Sequence, residues 1–286
     1  MKNLTNIGVV KEILEKHGFN FSKGLGQNFL INPDVCPKIA EMGNANSEYG
    51  IIEIGTGFGT LTAELAKRAK KVVAVEIDSR LIPILDETLE EFDNIKIINK
   101  DVMKCDLHSL IKEEFEGMKV AVCANLPYYI TSPIIMMLLE NNLPIDSITV
   151  MVQKEAAQRL CAKVGTRESG AITVGVNYHG SVKKLFDVSR GSFMPAPNVD
   201  SAVIRIDINN DKKLPAETEK LFFEIVKCGF SQRRKTLVNS LTKQMNLDKE
   251  IVLSSLNDNN IKHTVRIEEL SMDLLKNLAV SIKNKL

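Results

Sequence analysis

The segment "IIEIGTGFGTLT" (residues 51–62) passes from an apolar run to a set of glycines and then to a helix-like pattern. The β-branched residues at its start predict a buried strand. Gly55, Gly57 and Gly59 predict a tight turn whose backbone a ligand can approach closely. A strand, a glycine turn and a helix in this order are typical of the first βα unit of an open parallel sheet. Alone, the pattern also fits an ordinary strand-to-helix turn, so the neighbouring segments decide the fold.

Residues 50–153 alternate between short β-branched runs and helix-like stretches. Strands are predicted in "YGIIEIG", "KKVVAVEID", "NIKIINKD", "KVAVCANLP" and "SITVMVQK". This alternation predicts a Rossmann-like α/β fold with parallel strands. Two further strands are predicted in "GAITVGVNYHG" and "SAVIRIDIN". Beyond Pro215 the pattern is helical only, so we expect a sheet domain over residues 1–208 and a small all-helical domain over residues 209–286.

Composition narrows the class of protein. The chain has 286 residues, 44% of them hydrophobic, and its longest apolar run (134–139) is too short to cross a bilayer. The N-terminus predicts an amphipathic helix and not a signal peptide. Five scattered cysteines predict reduced thiols and no zinc site. We therefore expect a cytoplasmic protein that binds no membrane and no metal. A monomer is expected as well, but nothing in the sequence shows the oligomeric state.

The small net charge of +1 is unevenly distributed. Residues 209–286 carry 14 Lys and Arg against 10 Asp and Glu, a net charge of +4, which leaves −3 on residues 1–208. An anionic partner is therefore expected to bind the C-terminal part of the chain.

Two carboxylates follow the glycine turn at successive strand ends. Glu76 closes the second strand and Asp101 closes the third, so both are expected at the ligand-binding edge of the sheet. Glu76 could hold the hydroxyls of a ribose, and Asp101 could accept from an adenine amino group. Glu53, in the simplest interpretation a solvated residue at a strand end, would oppose a pyrophosphate. S-adenosylmethionine is cationic and carries no phosphate, and the sequence favours it over NAD.

The segment "NLPY" (125–128) follows the fourth predicted strand. The Asn125 side-chain oxygen and the Leu126 backbone carbonyl can accept from the N–H groups of an adenine amine, which frees its lone pair to attack a methyl group. Pro127 fixes the backbone and donates no hydrogen bond. Tyr128 can stack on a base that has been turned out of its helix. The pattern indicates catalysis by positioning and electrostatics; the alternative is a plain turn with a buried tyrosine.

The chain resembles the small-subunit ribosomal RNA adenine dimethyltransferases, a family of class I methyltransferases, over nearly its whole length. The motifs that carry the resemblance are "GLGQNFLINPDV" (24–35), "EIGTGFGTLT" (53–62), "VEID" (75–78), "NLPYYITSPII" (125–135), "MVQKEAAQRL" (151–160), "FMPAPNVDSAVIRI" (193–206) and "FSQRRKTLVNSL" (230–241). One departure is Ser169, where the family usually has a tyrosine.

The resemblance implies transfer of two methyl groups to N6 of each of two adjacent adenosines near the 3′ end of 16S RNA, during maturation of the small subunit. S-adenosylmethionine would be the cofactor. The residues that the resemblance places in the cofactor pocket are Asn28, Leu30, Gly55, Glu76, Asp101 and Asn125. Of these, Asn28 and Leu30 would otherwise be assigned to an ordinary loop.

RNA contacts are predicted at two further places. In "GFSQRRKTL", Gly229 is predicted to end one helix and Ser231 to cap the next. The cations of residues 233–235 would then lie in the first turn of the second helix, where the helix dipole disfavours positive charge. Binding of RNA phosphates would offset this unfavourable interaction. Arg233, Arg234 and Lys235 are therefore predicted to bind RNA. Phe193 could stack on the target base opposite Tyr128, or it could be a buried anchor of its loop.

Other functions remain open on the sequence. The nearest alternative is methylation of one adenosine in 23S RNA, as in the antibiotic-resistance enzymes; the helical tail and "NVDSAVIRI" favour the small-subunit activity. A DNA adenine methylase usually has two prolines where this chain has Leu126 and Pro127. An assembly factor that binds immature subunits would use the same surface. An NAD oxidoreductase would leave "NLPY" without a purpose.

Overall fold

The computed structural model describes residues 2–22, 24–209 and 213–286. The strands within these ranges are β1 (Phe29–Leu30), β2 (Tyr49–Ile54), β3 (Lys71–Glu76), β4 (Ile95–Asn99), β5 (Lys119–Asn125), β6 (Ser147–Gln153), β7 (Gly180–Val188), β8 (Phe193–Met194) and β9 (Ser201–Ile208). The helices are α1 (Ile7–Lys16), α2 (Val35–Met42), α3 (Thr60–Ala66), α4 (Ile82–Thr88), α5 (Leu107–Glu114), α6 (Thr131–Glu140), α7 (Lys154–Leu160), α8 (Ala171–His179), α9 (Ala216–Ser231), α10 (Leu237–Gln244), α11 (Lys249–Asp258) and α12 (Met272–Lys283).

Seven strands form one sheet in the order β4-β3-β2-β5-β6-β9-β7. The five strands from β4 to β6 are parallel, with Ile52 of β2 between Val73 of β3 and Val122 of β5, and β9 runs antiparallel to β6. From β2 the chain adds strands first on one side and then, beginning with β5, on the other. The carboxyl ends of β2 and β5 therefore mark the switch point of the sheet, where open α/β folds bind ligands.

The five strands predicted within residues 50–153 are confirmed, as is the α/β class. Strands β2, β3, β5 and β6 are buried along nearly their whole length, as expected for parallel strands covered by helices on both faces. The stretch "SAVIRIDIN" is strand β9. The predicted amphipathic N-terminal helix is α1, and the Asn6 side chain caps it by accepting from Gly8 N and Val9 N.

The prediction of a strand in "GAITVGVNYHG" is wrong, because Ala171–His179 form helix α8. Thr173 Oγ1 accepts from Gly170 N (2.9 Å) and donates to the Arg159 carbonyl (2.6 Å), which closes the start of the helix. A continuous apolar run does not distinguish a buried strand from a buried helix, and tertiary packing decided this one. Strand β7, directly after it, was not predicted.

The chain divides into two compact units. The sheet unit comprises the described residues up to Ala157 together with Lys183–Ile208, and the helical unit comprises Gln158–Val182 together with the described residues from Asn209 onward. This grouping differs from the expected division into 1–208 and 209–286, because segment 158–182, with α8, packs among the C-terminal helices. The functional assignment of the two domains stays a prediction.

Each unit has its own apolar core. In the sheet unit, Phe19, Phe29 and Phe58 form an aromatic group beside the glycine turn, and the Phe29 and Phe58 rings stack with centroids 4.0 Å apart. In the helical unit, the fully buried Phe222 of α9 packs on Tyr178 of α8 with centroids 5.0 Å apart. No helix among the described residues has the length and apolar character needed to span a membrane.

Candidate active site

A cavity of about 620 Å³, the main cleft, opens at the switch point between β2 and β5. Two smaller cavities, which share Gly55 with it, adjoin it: an inner recess beside Glu53 and Leu30, and a side slot beside Asp101 and Val102. The main cleft is lined by Leu25, Gly26, Gln27, Asn28, Phe29, Gly55, Gly57, Glu76, Ile77, Leu81, Asn125, Leu126, Pro127, Tyr128 and Tyr129. The fold thus brings together the residues that were predicted to bind a cofactor and those predicted to carry out catalysis.

The glycine turn is held in place by Glu76. One carboxylate oxygen of Glu76 accepts from Thr56 N (2.9 Å) and Thr56 Oγ1 (3.0 Å), and the other accepts from Asp78 N (2.8 Å). Because each carboxylate oxygen can accept more than one hydrogen bond, Glu76 keeps capacity for ligand hydroxyls. Glu76 therefore both shapes the turn and faces the main cleft.

Gly55 and Gly57 adopt the left-handed backbone conformation, with φ of +77° and +55°. At Gly57 a side chain would also collide with the protein, since a Cβ atom would lie 2.5 Å from Cδ1 of Phe29. Gly57 is thus required for the packing of β1 against the turn as well as for the turn itself. The sequence had suggested the tight turn and the close approach of a ligand, but not this packing.

Glu53 is not the solvated residue that the sequence suggested. Its side chain is fully buried at the inner recess, and neither carboxylate oxygen has a hydrogen-bond partner among the described residues. The nearby Thr62 hydroxyl likewise has none with normal geometry. Burial raises the pKa of Glu53 to about 8, and repulsion by Glu76 contributes in the same direction. A cationic ligand group in the recess would satisfy this carboxylate.

Asp101 lies at the side slot, between apolar walls formed by residues such as Ile54, Ile77 and Val102. Its Oδ1 accepts from Met103 N (3.0 Å), which fixes the carboxylate at the start of a short 3₁₀ turn. A mostly apolar slot that contains a carboxylate has the chemistry required to hold a nucleobase that carries an amino group.

Asn125, at the end of β5, is oriented by the loop before β1. Its Nδ2 donates to the Asn28 carbonyl at 3.2 Å. A backbone carbonyl only accepts hydrogen bonds, so this contact assigns the amide nitrogen and leaves the side-chain oxygen to accept from a ligand. Leu30 lies beside this pair in β1, where it is buried and lines the inner recess.

Two tyrosines of different environment follow Pro127. The Tyr128 hydroxyl is 2.7 Å from Ser201 Oγ of β9, and its ring is half-buried at the main cleft. Burial raises the pKa of the Tyr128 hydroxyl. Tyr129 is exposed and lines both the main cleft and the side slot. Tyr129 was not predicted as a site residue. Its position next to Tyr128, a predicted catalytic residue, was the feature of the sequence that could have indicated it.

Phe193 is placed in the core and not at the main cleft. It pairs with Leu30 between the two short strands β8 and β1, and its side chain is only 3% exposed. The structure gives Phe193 the role of a buried anchor, which was the alternative to base stacking. The stacking role has no support in this arrangement.

The predicted helix boundaries around "GFSQRRKTL" are wrong. Helix α9 continues through Gly229 to Ser231, and Thr236, not Ser231, caps α10 by accepting from Asn239 N (3.4 Å). Gly229 lies inside the helix, and it packs so closely on Ile267 that a Cβ there would come within 2.7 Å of that side chain, which accounts for the glycine. The cations at 233–235 therefore lie in the turn between the end of α9 and the Thr236 cap of α10, and not in the first turn of α10.

Arg233, Arg234 and Lys235 differ in what holds them. Arg233 donates to the Arg167 carbonyl (2.6 Å) and to Glu268 (3.2 Å), whereas Arg234 and Lys235 are exposed. A groove beside the turn, the arginine groove, contains further arginines. It is lined by Gly165, Arg167, Arg233, Arg234, Arg266, Glu268 and Glu269. Arg167 and Arg266 are distant in sequence from the turn, which is why the sequence analysis did not include them.

A family model described as "Ribosomal RNA adenine dimethylase" matches residues 18–284. The chain belongs to this family. A protein of Bacillus mycoides named ribosomal RNA small subunit methyltransferase A is 48% identical over 277 residues, covering 96% of this chain and 95% of its own length. A protein of Bacillus cereus with the same name has the same identity and coverage.

Solved structures agree with the assignment to the dimethylase family. A dimethyladenosine transferase from Plasmodium falciparum superposes with a TM-score of 0.76 at 27% identity, covering 90% of this chain and 98% of that one. The 23S rRNA methyltransferase ErmE superposes with a TM-score of 0.68 at 25% identity, covering 90% of this chain and all of that one. The predicted family, the methyltransferase class and the fold are thereby confirmed.

Within the dimethylase fold, Ser169 has a local role. The residue is fully buried, and its hydroxyl donates to the Thr166 carbonyl at 2.6 Å. The Ser169 hydroxyl thus closes a turn of the helical unit.

The loop that contains Gln27 is bound to the segment directly after β3, a contact that was not predicted from the sequence. Gln27 Nε2 donates to Asp78 (2.7 Å), and Arg80 forms an ion pair with the same carboxylate. The Arg80 guanidinium also lies over the Phe19 ring, 5.1 Å from its centroid. Together the hydrogen bonds and the ion pair lower the pKa of Asp78.

Proposed function

We propose that this protein transfers methyl groups from S-adenosylmethionine to N6 of two adjacent adenosines near the 3′ end of 16S rRNA in an immature small ribosomal subunit. The observation that supports it best is the position of Asn125, at the end of β5 in the same cleft as Gly55, Gly57 and Glu76, with its amide nitrogen already bound to Asn28. The names of the Bacillus relatives support the small subunit as the source of the substrate.

The residues of the three cavities fit S-adenosylmethionine. Glu53 supplies a buried, unpartnered carboxylate for a cationic group in the inner recess, and Glu76 supplies acceptors for ribose hydroxyls. Asp101 offers an acceptor to an adenine amino group in the side slot. The buried acidic side chain of Glu53 offers a pyrophosphate no favourable partner, which disfavours NAD. Asn28 and Leu30 would contact the same cofactor through the loop before β1 and through β1 itself.

When bound, S-adenosylmethionine supplies an electrophilic methyl group on a sulfonium. The protein must then present the adenine amine with its lone pair available, because that lone pair is normally delocalised into the ring. The Asn125 side-chain oxygen and the Leu126 carbonyl accept the two N–H groups, and Pro127 holds the backbone that carries them. Tyr128, tied to Ser201, stacks on the base. The amine nitrogen gains positive charge as it takes the methyl group, so its proton becomes acidic and can pass to water without a strong base.

RNA binding would also use the turn after α9 in the helical unit. Arg234 and Lys235 are exposed there, and Arg233 is fixed by Glu268 and by the Arg167 carbonyl. Cations held beside an open groove are suited to phosphate contacts, which position RNA without reading its sequence. Residues 233–235 lie outside the first turn of α10, so a helix dipole is not the reason to expect phosphate there. The arginines that line the groove are the reason.

The test is to map N6-methylated adenosines in 16S and 23S rRNA by mass spectrometry, from cells with and without this protein. The proposal expects the dimethylated pair near the 3′ end of 16S rRNA to disappear in the deletion strain and to return on complementation. A change confined to 23S rRNA would identify the resistance-type activity. Calorimetry should detect binding of S-adenosylmethionine and none of NAD.

A further inference from the structure

Tyr129 is the most exposed aromatic side chain among the residues that the structure describes, with 61% of its surface accessible. It follows Tyr128 in the 3₁₀ turn Tyr128–Ile130, at the mouth of the main cleft. Isolated exposed apolar residues are common and need no explanation. This one lies beside the predicted reaction site, so its surroundings decide whether it has a role.

The Tyr129 ring lies close to the backbone of Gly26. A methyl group added to Gly26 would lie 3.3 Å from Cδ1 and 3.4 Å from Cε1 of this ring, so the backbone of the loop at 24–28 is in contact with it. Pro127, whose φ is fixed, lies near the same position, with its Cβ 3.7 Å from that added methyl group. The ring is therefore held against a backbone surface while most of its area faces solvent.

Tyr128 and Tyr129 thus provide two aromatic surfaces of different depth. Tyr128 is half-buried, and its hydroxyl contacts Ser201, so its ring is suited to stack on a base inside the cleft. Tyr129 has no hydrogen bond from its hydroxyl within the described part of the chain, and its ring lies at the entrance. When a base leaves its helix, the neighbouring nucleotide loses a stacking partner, and an aromatic side chain at the entrance can replace that partner.

We propose that Tyr129 is a substrate-binding residue on which the nucleotide adjacent to the target adenosine stacks. This inference rests on the proposed function, in which the neighbour of one target adenosine is the other. Tyr129 also lines the side slot, where it could instead cover the cofactor's base. The position of Tyr129 at the mouth of the main cleft favours the RNA, because the nucleotide next to a base bound in the cleft stays outside it, at this entrance.

The experiment compares three variants of the full chain, Tyr129→Ala, Tyr129→Phe and Tyr129→Leu, on immature small subunits purified from cells that lack the enzyme. Stacking predicts that Tyr129→Ala raises KM for the subunits about tenfold, that Tyr129→Leu behaves like Ala, and that Tyr129→Phe stays close to wild type. The affinity for S-adenosylmethionine, measured by calorimetry, should not change in any of them. Because the side chain is exposed, the Tm of all three should match wild type.

Two results would overturn the inference. One is a KM for subunits that is the same in Tyr129→Ala and wild type. The other is a Tyr129→Ala variant whose affinity for S-adenosylmethionine falls while KM for subunits is unchanged, which would assign the ring to the cofactor. Failure of the proposed function is seen separately, because the wild-type chain itself would then leave the subunits unmethylated.

Discussion

At the scale of single residues, Asn125 can offer a ligand only one of its two polar side-chain atoms. The Asn28 carbonyl already occupies the amide nitrogen, so the oxygen is the atom left for the cleft. An acceptor whose orientation is fixed before the substrate arrives requires no reorganisation during the reaction, and this is the main source of electrostatic catalysis. The hydrogen bond between Asn125 and Asn28 is therefore as important as the identity of the side chain.

Replacement of Asn125 tests this arrangement. Asn125→Ala removes the acceptor and is expected to lower kcat about 100- to 1,000-fold. Asn125→Asp keeps an acceptor but cannot donate to the Asn28 carbonyl, so its orientation is lost and a comparable decrease is expected. Transfer of labelled methyl groups to immature subunits measures both, with circular dichroism as the control for folding. A kcat within about threefold of wild type in either variant would contradict the assigned role.

Glu53 makes a prediction about stability and pH. Its pKa is about 8 in the folded chain, against 4.5 for an ordinary glutamate, so between these values the folded state binds one more proton than the unfolded state. The contribution of Glu53 to the free energy of unfolding is therefore present below pH 4.5 and is lost as the pH rises through 8. Glu53→Gln should match wild type near pH 5 and become the more stable protein near pH 8.5, as measured by urea denaturation. Parallel stability curves for the two proteins over this range would show that Glu53 does not titrate there.

The raised pKa of Glu53 also leads us to expect that cofactor binding releases a proton. Without ligand Glu53 is mostly protonated at pH 7, and a cationic group in the inner recess would favour its charged form. Binding of S-adenosylmethionine to wild type at pH 7 is then expected to release a proton, and the affinity should rise with pH up to about 8. Calorimetry in buffers of different ionisation enthalpy measures this release, and Glu53→Gln is the control in which it should vanish. An equal proton release in both proteins would assign it to another group.

At the scale of elements, the turn between β2 and α3 depends on β1 as well as on its own glycines. The Phe29 ring of β1 occupies the space beside Gly57 and stacks on Phe58 at the end of the turn. Strand β1 is in turn held by its pairing with β8. The ligand-binding turn is therefore shaped by two segments that are far from it in sequence.

Gly57→Ala and Gly117→Ala form a matched pair that separates backbone strain from this packing. Both glycines have left-handed φ, +55° and +69°, but a Cβ at Gly117 would meet nothing within 4 Å. Gly117→Ala should cost about 1 kcal/mol of stability through backbone strain alone. Gly57→Ala should cost about 1–3 kcal/mol more, because the Phe29 ring must move. Thermal and urea denaturation measure both, and equal losses would show that Phe29 adapts without cost.

At the scale of the whole molecule, the proposed functions fall on two separately packed units. The candidate catalytic residues belong to the sheet unit, and the arginine groove belongs to the helical unit. Ligand chemistry and RNA attachment should therefore be separable by mutation. This separation also bears on whether the protein acts on assembling subunits by methylation or by binding alone.

Arg234→Glu should weaken binding to immature subunits and reduce its salt dependence, because a phosphate contact releases counterions. Its affinity for S-adenosylmethionine and its Tm should match wild type, since Arg234 is exposed. Asn125→Ala is the reciprocal variant and should bind subunits normally while failing to methylate them. Filter binding at several salt concentrations and calorimetry make the comparison. If Arg234→Glu binds subunits as wild type does, the arginine groove is not part of the RNA-binding surface.

The sequence alone determined the parallel sheet and the edge at which its ligands bind. Strands such as β2 and β5 are continuous β-branched runs, and glycines, Glu76, Asp101 and Asn125 follow such strands directly, so local pattern and chain order were sufficient. The family resemblance came from the same short motifs. These features depend on neighbours in the chain, which a single sequence displays.

Only the tertiary structure decided features that depend on contacts between distant segments. Helix α8 was mistaken for a strand because its apolar run fits either, and its packing on Phe222 selected the helix. Glu53 and Phe193 are buried by elements that lie far from them in the sequence. Helix α9 runs through Gly229 to Ser231, and Gly229 packs closely against the distant Ile267. Burial and close packing are properties of the assembled fold, and they set the charge of a carboxyl, the role of a ring and the end of a helix.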